Sequence, residues 1–136
     1  MTDSAITDDE YATLAEFRHE LRQFLRFSEA AAEAVGLTPQ QHQALLAIRG
    51  FPELGGMTVG GLAERLQIKP HSAVGLVNRL AAQELLTRRA STADRRQVFL
   101  ALTPRGNALL AELTAAHRAE VRRMRATLQE LLQRLD

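Results

Sequence analysis

Apolar residues recur at steps of three and four from Tyr11 through Leu14, Phe17, Leu21, Phe24 and Leu25 to Ala32, the period of a helix with an apolar side. Thr7-Asp8-Asp9-Glu10 marks its start: a threonine hydroxyl suits the third helical amide, a glutamate can reach back, and the acids suit the positive helix end. Gly36 supplies a left-handed stop. At 1.5 Å per residue the element runs to roughly 42 Å. A helix that long overhangs so small a domain, and is expected to meet a partner subunit. Thr38-Pro39-Gln40-Gln41 repeats the start signal, with Leu45, Leu46 and Ile48 as the apolar side of a second helix ending near Gly50. Phe51 to Gly56 reads as a connector. Thr58 then caps a short helix containing Leu62, Ala63 and Leu66, which Gly60 and Gly61 weaken by roughly 1 kcal/mol each.

Ile68 and Pro70 introduce a fourth helix over 70–83. Counting from His71 at about 100° per residue, Ala73, Val74, Leu76, Val77, Leu80 and Ala81 fall on one side, and His71, Ser72, Gly75, Asn78, Arg79 and Ala82 on the other. The first side is aliphatic and suits a core; the second is small, polar or basic and suits a groove or solvent. Leu85 to Arg89 and Gln97 to Leu102 read as two strands, with Val98, Leu100 and Leu102 on one face of the second. Their loop, Ala90 to Arg96, is flanked and filled by Arg88, Arg89, Arg95 and Arg96. After Thr103-Pro104-Arg105-Gly106 no further proline or glycine interrupts the chain, which predicts one long helix or a pair of helices to Asp136. Val121, Met124, Leu128, Leu131 and Leu135 form a seam spaced 3, 4, 3, 4 that needs another helix against it.

Composition sharpens this picture. With 136 residues and 46% hydrophobic content the chain suits one domain, or one domain with a long helical extension. Its net charge of +1 hides an uneven distribution. Residues 1–64 hold four arginines against ten acids, residues 65–105 hold eight cations against Glu84 and Asp94, and residues 106–136 hold five arginines against four acids. A basic middle between acidic and neutral ends suggests that the middle meets a polyanion while the ends face protein. The absence of cysteine excludes disulfides, thiolate metal sites and thiol redox sensing. His19, His42, His71 and His117 lie on separate segments without metal-ligand or triad spacing, so neither an enzyme, a metal site nor a cofactor is expected. No apolar run approaches the roughly 20 residues of a membrane span, and the acidic, polar start lacks the layout of a secretory signal, so the expected location is the cytoplasm.

The order helix, helix, short helix, polar-sided helix, basic hairpin, long helix resembles the multiple antibiotic resistance regulator (MarR) family of bacterial transcription factors over residues 8–136. The resemblance rests on Leu37-Thr38-Pro39-Gln40-Gln41-His42-Gln43-Ala44-Leu45-Leu46, on Thr58 to Leu66, on Leu76-Val77-Asn78-Arg79-Leu80, and most specifically on Asp94-Arg95-Arg96 leading to Leu102-Thr103-Pro104-Arg105-Gly106. It implies a mainly α fold with a small β-hairpin wing, a winged helix-turn-helix with long terminal helices. Its parts are an amino-terminal dimerisation helix (1–36), a DNA-binding domain (37–105) and one or two carboxy-terminal dimerisation helices (106–136). It further implies a homodimer, more often a repressor, on an imperfectly palindromic double-stranded operator with half-sites about 34 Å apart.

In the family's wing the arginine matching Arg96 enters the minor groove and the acid matching Asp94 holds it; a carboxylate two residues away can fix a guanidinium by a charge-assisted bond. Lys69, His71, Ser72, Gly75, Arg79, Arg88, Arg89 and Arg95 complete the candidate DNA-binding set. Gly75 stands where relatives often carry a polar groove residue. Glu84 stands where a glycine usually ends the reading helix, so the chain there either adopts a left-handed residue or ends the helix differently. Relatives commonly release DNA on binding small aromatic or phenolic acids. The candidates for lining such an effector crevice are Tyr11, Phe17, Phe24, Phe27, His42 and Arg49. The alternative from another class is a winged-helix module that docks on protein, its arginines serving solubility, without DNA binding.

Overall fold

The computed structural model describes residues 5–51, 56–91, 93–94 and 96–136. Five helices and a two-stranded antiparallel hairpin follow one another: α1 (Asp8–Ala34), α2 (Pro39–Gly50), α3 (Val59–Leu66), α4 (Pro70–Ala82), β1 (Leu86–Ala90), β2 (Val98–Leu102) and α5 (Pro104–Arg134). The carboxy-terminal region is one uninterrupted helix.

The expected threonine caps form. Thr7, Thr38, Thr58 and Thr103 each accept the amide three residues on, at 2.9–3.2 Å, and Gln41 Oε1 completes the box by accepting from Thr38 N. Three helix ends share one design. Leu37 N reaches Ala32 O, Ile68 N reaches Ala63 O, and Leu85 N reaches Leu80 O, each across a left-handed residue. That residue is Gly36 after α1, but Gln67 (φ 56°) after α3 and Glu84 (φ 61°) after α4.

The core joins Leu45 of α2, Leu62 of α3, Leu76, Val77 and Leu80 of α4, and Leu85, Leu86 and Leu100 of the wing root. Each such side chain contributes about 1.5–3 kcal/mol by leaving water. Four details depart from the periodicity. Val74 of α4 and Leu46 of α2 are exposed, because a side chain at the boundary of an apolar arc can face either way. β1 starts one residue later than expected, since Leu85 is taken up in closing α4. In β2, Val98 is exposed while Phe99 is buried. The cause is non-local: Met57 pairs with Leu100, its carbonyl accepting Leu100 N at 2.7 Å, and Gly56 lies directly against the Phe99 ring.

α5 packs along α1. Met124 and Leu131 of the expected seam are buried, whereas Val121 and Leu135 stay exposed. Arg134 ties the far ends together, reaching Asp9 at 2.9 Å and Glu16 at 3.1 Å. α1 thus carries two apolar stripes: Phe17, Phe24 and Phe27 are partly covered, while Tyr11, Leu14, Leu21 and Leu25 remain exposed.

Candidate nucleic-acid interface

α4 begins at Pro70, whose missing amide hydrogen costs nothing in a first turn. Ala73, Leu76, Val77 and Leu80 bury one side of it, which leaves His71, Ser72, Val74, Asn78 and Arg79 exposed together. Lys69, also exposed, precedes the helix without capping it. Gly75 lies among these residues, and a Cβ there would meet only the Arg79 guanidinium, at 3.4 Å. The arginine therefore folds back over the glycine one turn earlier.

The hairpin stands beside this helix. Thr87, Arg88, Arg89 and Ala90 are all exposed along β1. Arg88 Nη2 donates to Asn78 Oδ1, so one wing arginine is joined to α4. At the tip, Ser91 N donates to Gln97 O at 3.0 Å, and Ser91 Oγ accepts from Ala93 N and Asp94 N. Asp94 Oδ1 accepts Arg96 N at 3.0 Å and lies 3.5 Å from Arg96 Nε. One carboxylate oxygen thus holds both the backbone and the guanidinium of Arg96, whose side chain is 92% exposed. Arg95 lies outside the described residues.

The root of the wing is fastened to α5. Thr103 N donates to Leu85 O at 3.1 Å, Thr103 Oγ1 donates to Glu84 O at 2.7 Å, and Arg105 Nη1 donates to Gln83 O at 3.1 Å. These bonds explain the Thr103-Pro104-Arg105-Gly106 run in local terms: a cap, a first-turn proline, a clamp on the preceding turn, and a glycine that lets the two backbones touch.

Of the six crevice candidates, three gather around a histidine that was not counted among them. His117 of α5 donates from Nδ1 to Leu113 O at 2.7 Å and meets Ser28 Oγ through Nε2 at 2.8 Å. The rings of Phe24, Phe27 and His42 surround it, with centroids 5.9, 5.3 and 4.8 Å away. His42 is buried, and its Nδ1 has no hydrogen-bond partner among the described residues. Burial, and next the nearby His117, hold its pKa below the ordinary imidazole value. Tyr11 is exposed and Phe17 half-buried on α1. Arg49 instead borders a cleft of about 510 Å³ between α2 and α5, with Asn107, Leu110, Ala111, Thr114 and Arg118. Among the described residues no three His, Asp or Glu side chains form a metal-holding group, and no helix is long and apolar enough to cross a membrane.

A MarR family model matches residues 35–97. The HTH-type transcriptional repressor MdtR of Bacillus subtilis strain 168 is 32% identical over 98 residues, which cover 72% of this chain and 61% of MdtR. The chain spans about three-fifths of the length of the curated relatives it matches. Among solved structures, CouR from Rhodococcus jostii RHA1 bound to p-coumaroyl-CoA is 26% identical with a TM-score of 0.66, covering 95% of each chain. A Staphylococcus aureus MepR variant bound to an oligodeoxyribonucleotide shares the fold at a TM-score of 0.72 and 22% identity, over 97% of this chain and 100% of the other. Over residues 35–97, the stretch that carries the capped short helix, the polar-sided α4 and the first strand of the hairpin, the chain is similar to the MarR family.

Proposed function

We propose that this chain is a homodimeric, sequence-specific DNA-binding transcriptional regulator, acting as a repressor that a small anionic ligand releases. It binds and lets go of DNA and carries out no chemical step. The observation that carries the reading is the basic wing tip, where Asp94 presents Arg96 beside the exposed polar side of α4. In this reading residues 37–105 form the DNA-binding unit. His71, Ser72, Gly75 and Arg79 face the major groove, Lys69 and Arg89 meet phosphate, and Arg96 enters the minor groove, where the negative potential favours a guanidinium. Arg88 joins the interface through the wing, and Arg95 does so on its sequence position alone.

Residues 1–36 and 106–136 form the dimer. The exposed stripe of Tyr11, Leu14, Leu21 and Leu25, continued by Val121, Leu132 and Leu135 of α5, supports a second copy as its cover. The effector reading rests on the cleft bordered by Arg49 and Arg118, whose mainly apolar wall and size suit a drug-sized anion.

Titration of the purified chain against the duplex upstream of its own gene, at two salt concentrations, tests the proposal. Affinity is expected to fall steeply with salt as phosphate contacts release counterions, and Arg96→Ala is expected to weaken binding about tenfold, a typical loss for one groove contact. A module that docks on protein would show no salt-dependent DNA binding. Binding by Arg96→Ala as tight as the parent's removes the role given to the wing.

A further inference from the structure

We propose that Val74 and Asn78 together read one thymine in each half-site, and that Arg88 positions Asn78 to do so. The proposal rests on the DNA-binding reading above and adds a base preference to it.

Val74 is 46% exposed, although Ala73, Leu76, Val77 and Leu80 on the aliphatic side of α4 are buried. It therefore adds little to the core. Asn78 lies one helical turn further on, so the two side chains are surface neighbours on the side that also carries His71 and Arg79. Gly75 adds no side chain of its own beside them, and the Arg79 guanidinium lies over it.

The Asn78 amide has a defined orientation. Arg88 Nη2 donates to Asn78 Oδ1, and a guanidinium has no acceptor to offer, so the oxygen faces β1 and the amide nitrogen lies on the opposite side. An asparagine with both atoms free pairs with adenine through one donor and one acceptor. Here the oxygen is drawn toward Arg88, and the amide donor is the group turned away from it. The major-groove acceptors open to it are thymine O4, guanine O6 and the purine N7 atoms, whereas cytosine presents an amino donor that would oppose it. Val74 decides among them, because only thymine sets a methyl group next to an acceptor on the same base edge. The exposed Asn78–Arg88 contact gives little stability; what it provides is direction.

The test uses the full chain. Duplexes bound from a random-sequence pool are recovered for the parent, Val74→Ala and Arg88→Ala, and the parent site is remade with deoxyuridine in place of the fixed thymine. The parent is expected to fix a thymine in each half-site and to lose about fourfold in affinity for each deoxyuridine introduced, the equivalent of one buried methyl group. Val74→Ala should bind the two duplexes equally. Arg88→Ala should relax the preference at that base while keeping the salt slope, whereas an arginine that only contacts phosphate would keep the preference and lower the slope by about 1. The proposal is overturned if the parent binds the deoxyuridine duplex as tightly, if Val74→Ala keeps the parent's discrimination, or if Arg88→Ala changes the slope and not the preference. A parent that recovers no sequence at all overturns the DNA-binding reading instead.

Discussion

Replacing Gly106 by alanine sets helix propensity against backbone packing. Gly106 is the third residue of α5, and alanine would ordinarily favour such a helix by about 1 kcal/mol. A Cβ at this position, however, would stand 2.1 Å from Leu85 O and 3.1 Å from its carbonyl carbon, well inside the roughly 3.5 Å of ordinary contact. Leu85 cannot retreat: it is buried, its amide donates to Leu80 O at 3.0 Å, and its carbonyl accepts from Thr103 N. The start of α5 must therefore shift by about 1 Å, straining the bonds from Thr103 and Arg105 to residues 83–85. Overpacking costs about 1–3 kcal/mol, and each hydrogen bond lost about 1 kcal/mol. Less the propensity gain, the net loss is about 2–3 kcal/mol, or roughly 10 °C in Tm for a chain of this size. Thermal unfolding followed by circular dichroism, at one protomer concentration so that any self-association is held constant, measures it. Gly75→Ala is the internal contrast, since its Cβ meets only a flexible guanidinium at 3.4 Å; it should gain about 0.5–1 kcal/mol. A Gly106→Ala protein that melts with or above the parent refutes the argument.

Glu84→Gly should stabilise the chain by about 1 kcal/mol, read as a higher urea midpoint, because it relieves a left-handed glutamate and gives up only an exposed 3.9 Å contact with Arg105. His42, whose pKa is lowered by burial and then by His117, binds a proton less readily folded than unfolded. Its contribution to stability is therefore complete above the ordinary imidazole value near 6.5 and is lost as pH falls below it. The slope of Tm against pH between about 5 and 7 should flatten in His42→Phe, and an unchanged slope would assign the effect to other groups. Leu21→Glu combined with Leu25→Glu places charge on the exposed stripe of α1 and should give a protomer-sized species by sedimentation velocity; a dimer unaffected by both would move the interface elsewhere.

What the sequence made legible is what neighbours in the chain decide between themselves. A cap joins residues three apart, so Thr38 and Thr103 announced their helices. The Asp94–Arg96 clasp joins residues two apart, so the pairing of carboxylate and guanidinium could be anticipated, though not the bond that the same oxygen accepts from Arg96 N. Helix ends were harder. Gln67 and Glu84 adopt the conformation of Gly36 because Ile68 and Leu85, which follow them, are drawn toward the core and offset a local cost of about 1–2 kcal/mol. Non-local partners left no trace in the periodicity. The Met57 bridge reverses the expected burial of Val98 and Phe99, and His117 fills the space that Phe24, Phe27 and His42 were expected to line. The same division runs through the interface. Its basic composition is visible in a count of arginines, but the direction of the Asn78 amide depends on Arg88 ten residues away on another element. On the proposed function, charge would bring a polyanion to this surface, and the preference among bases would be set by contacts that only the folded chain brings together.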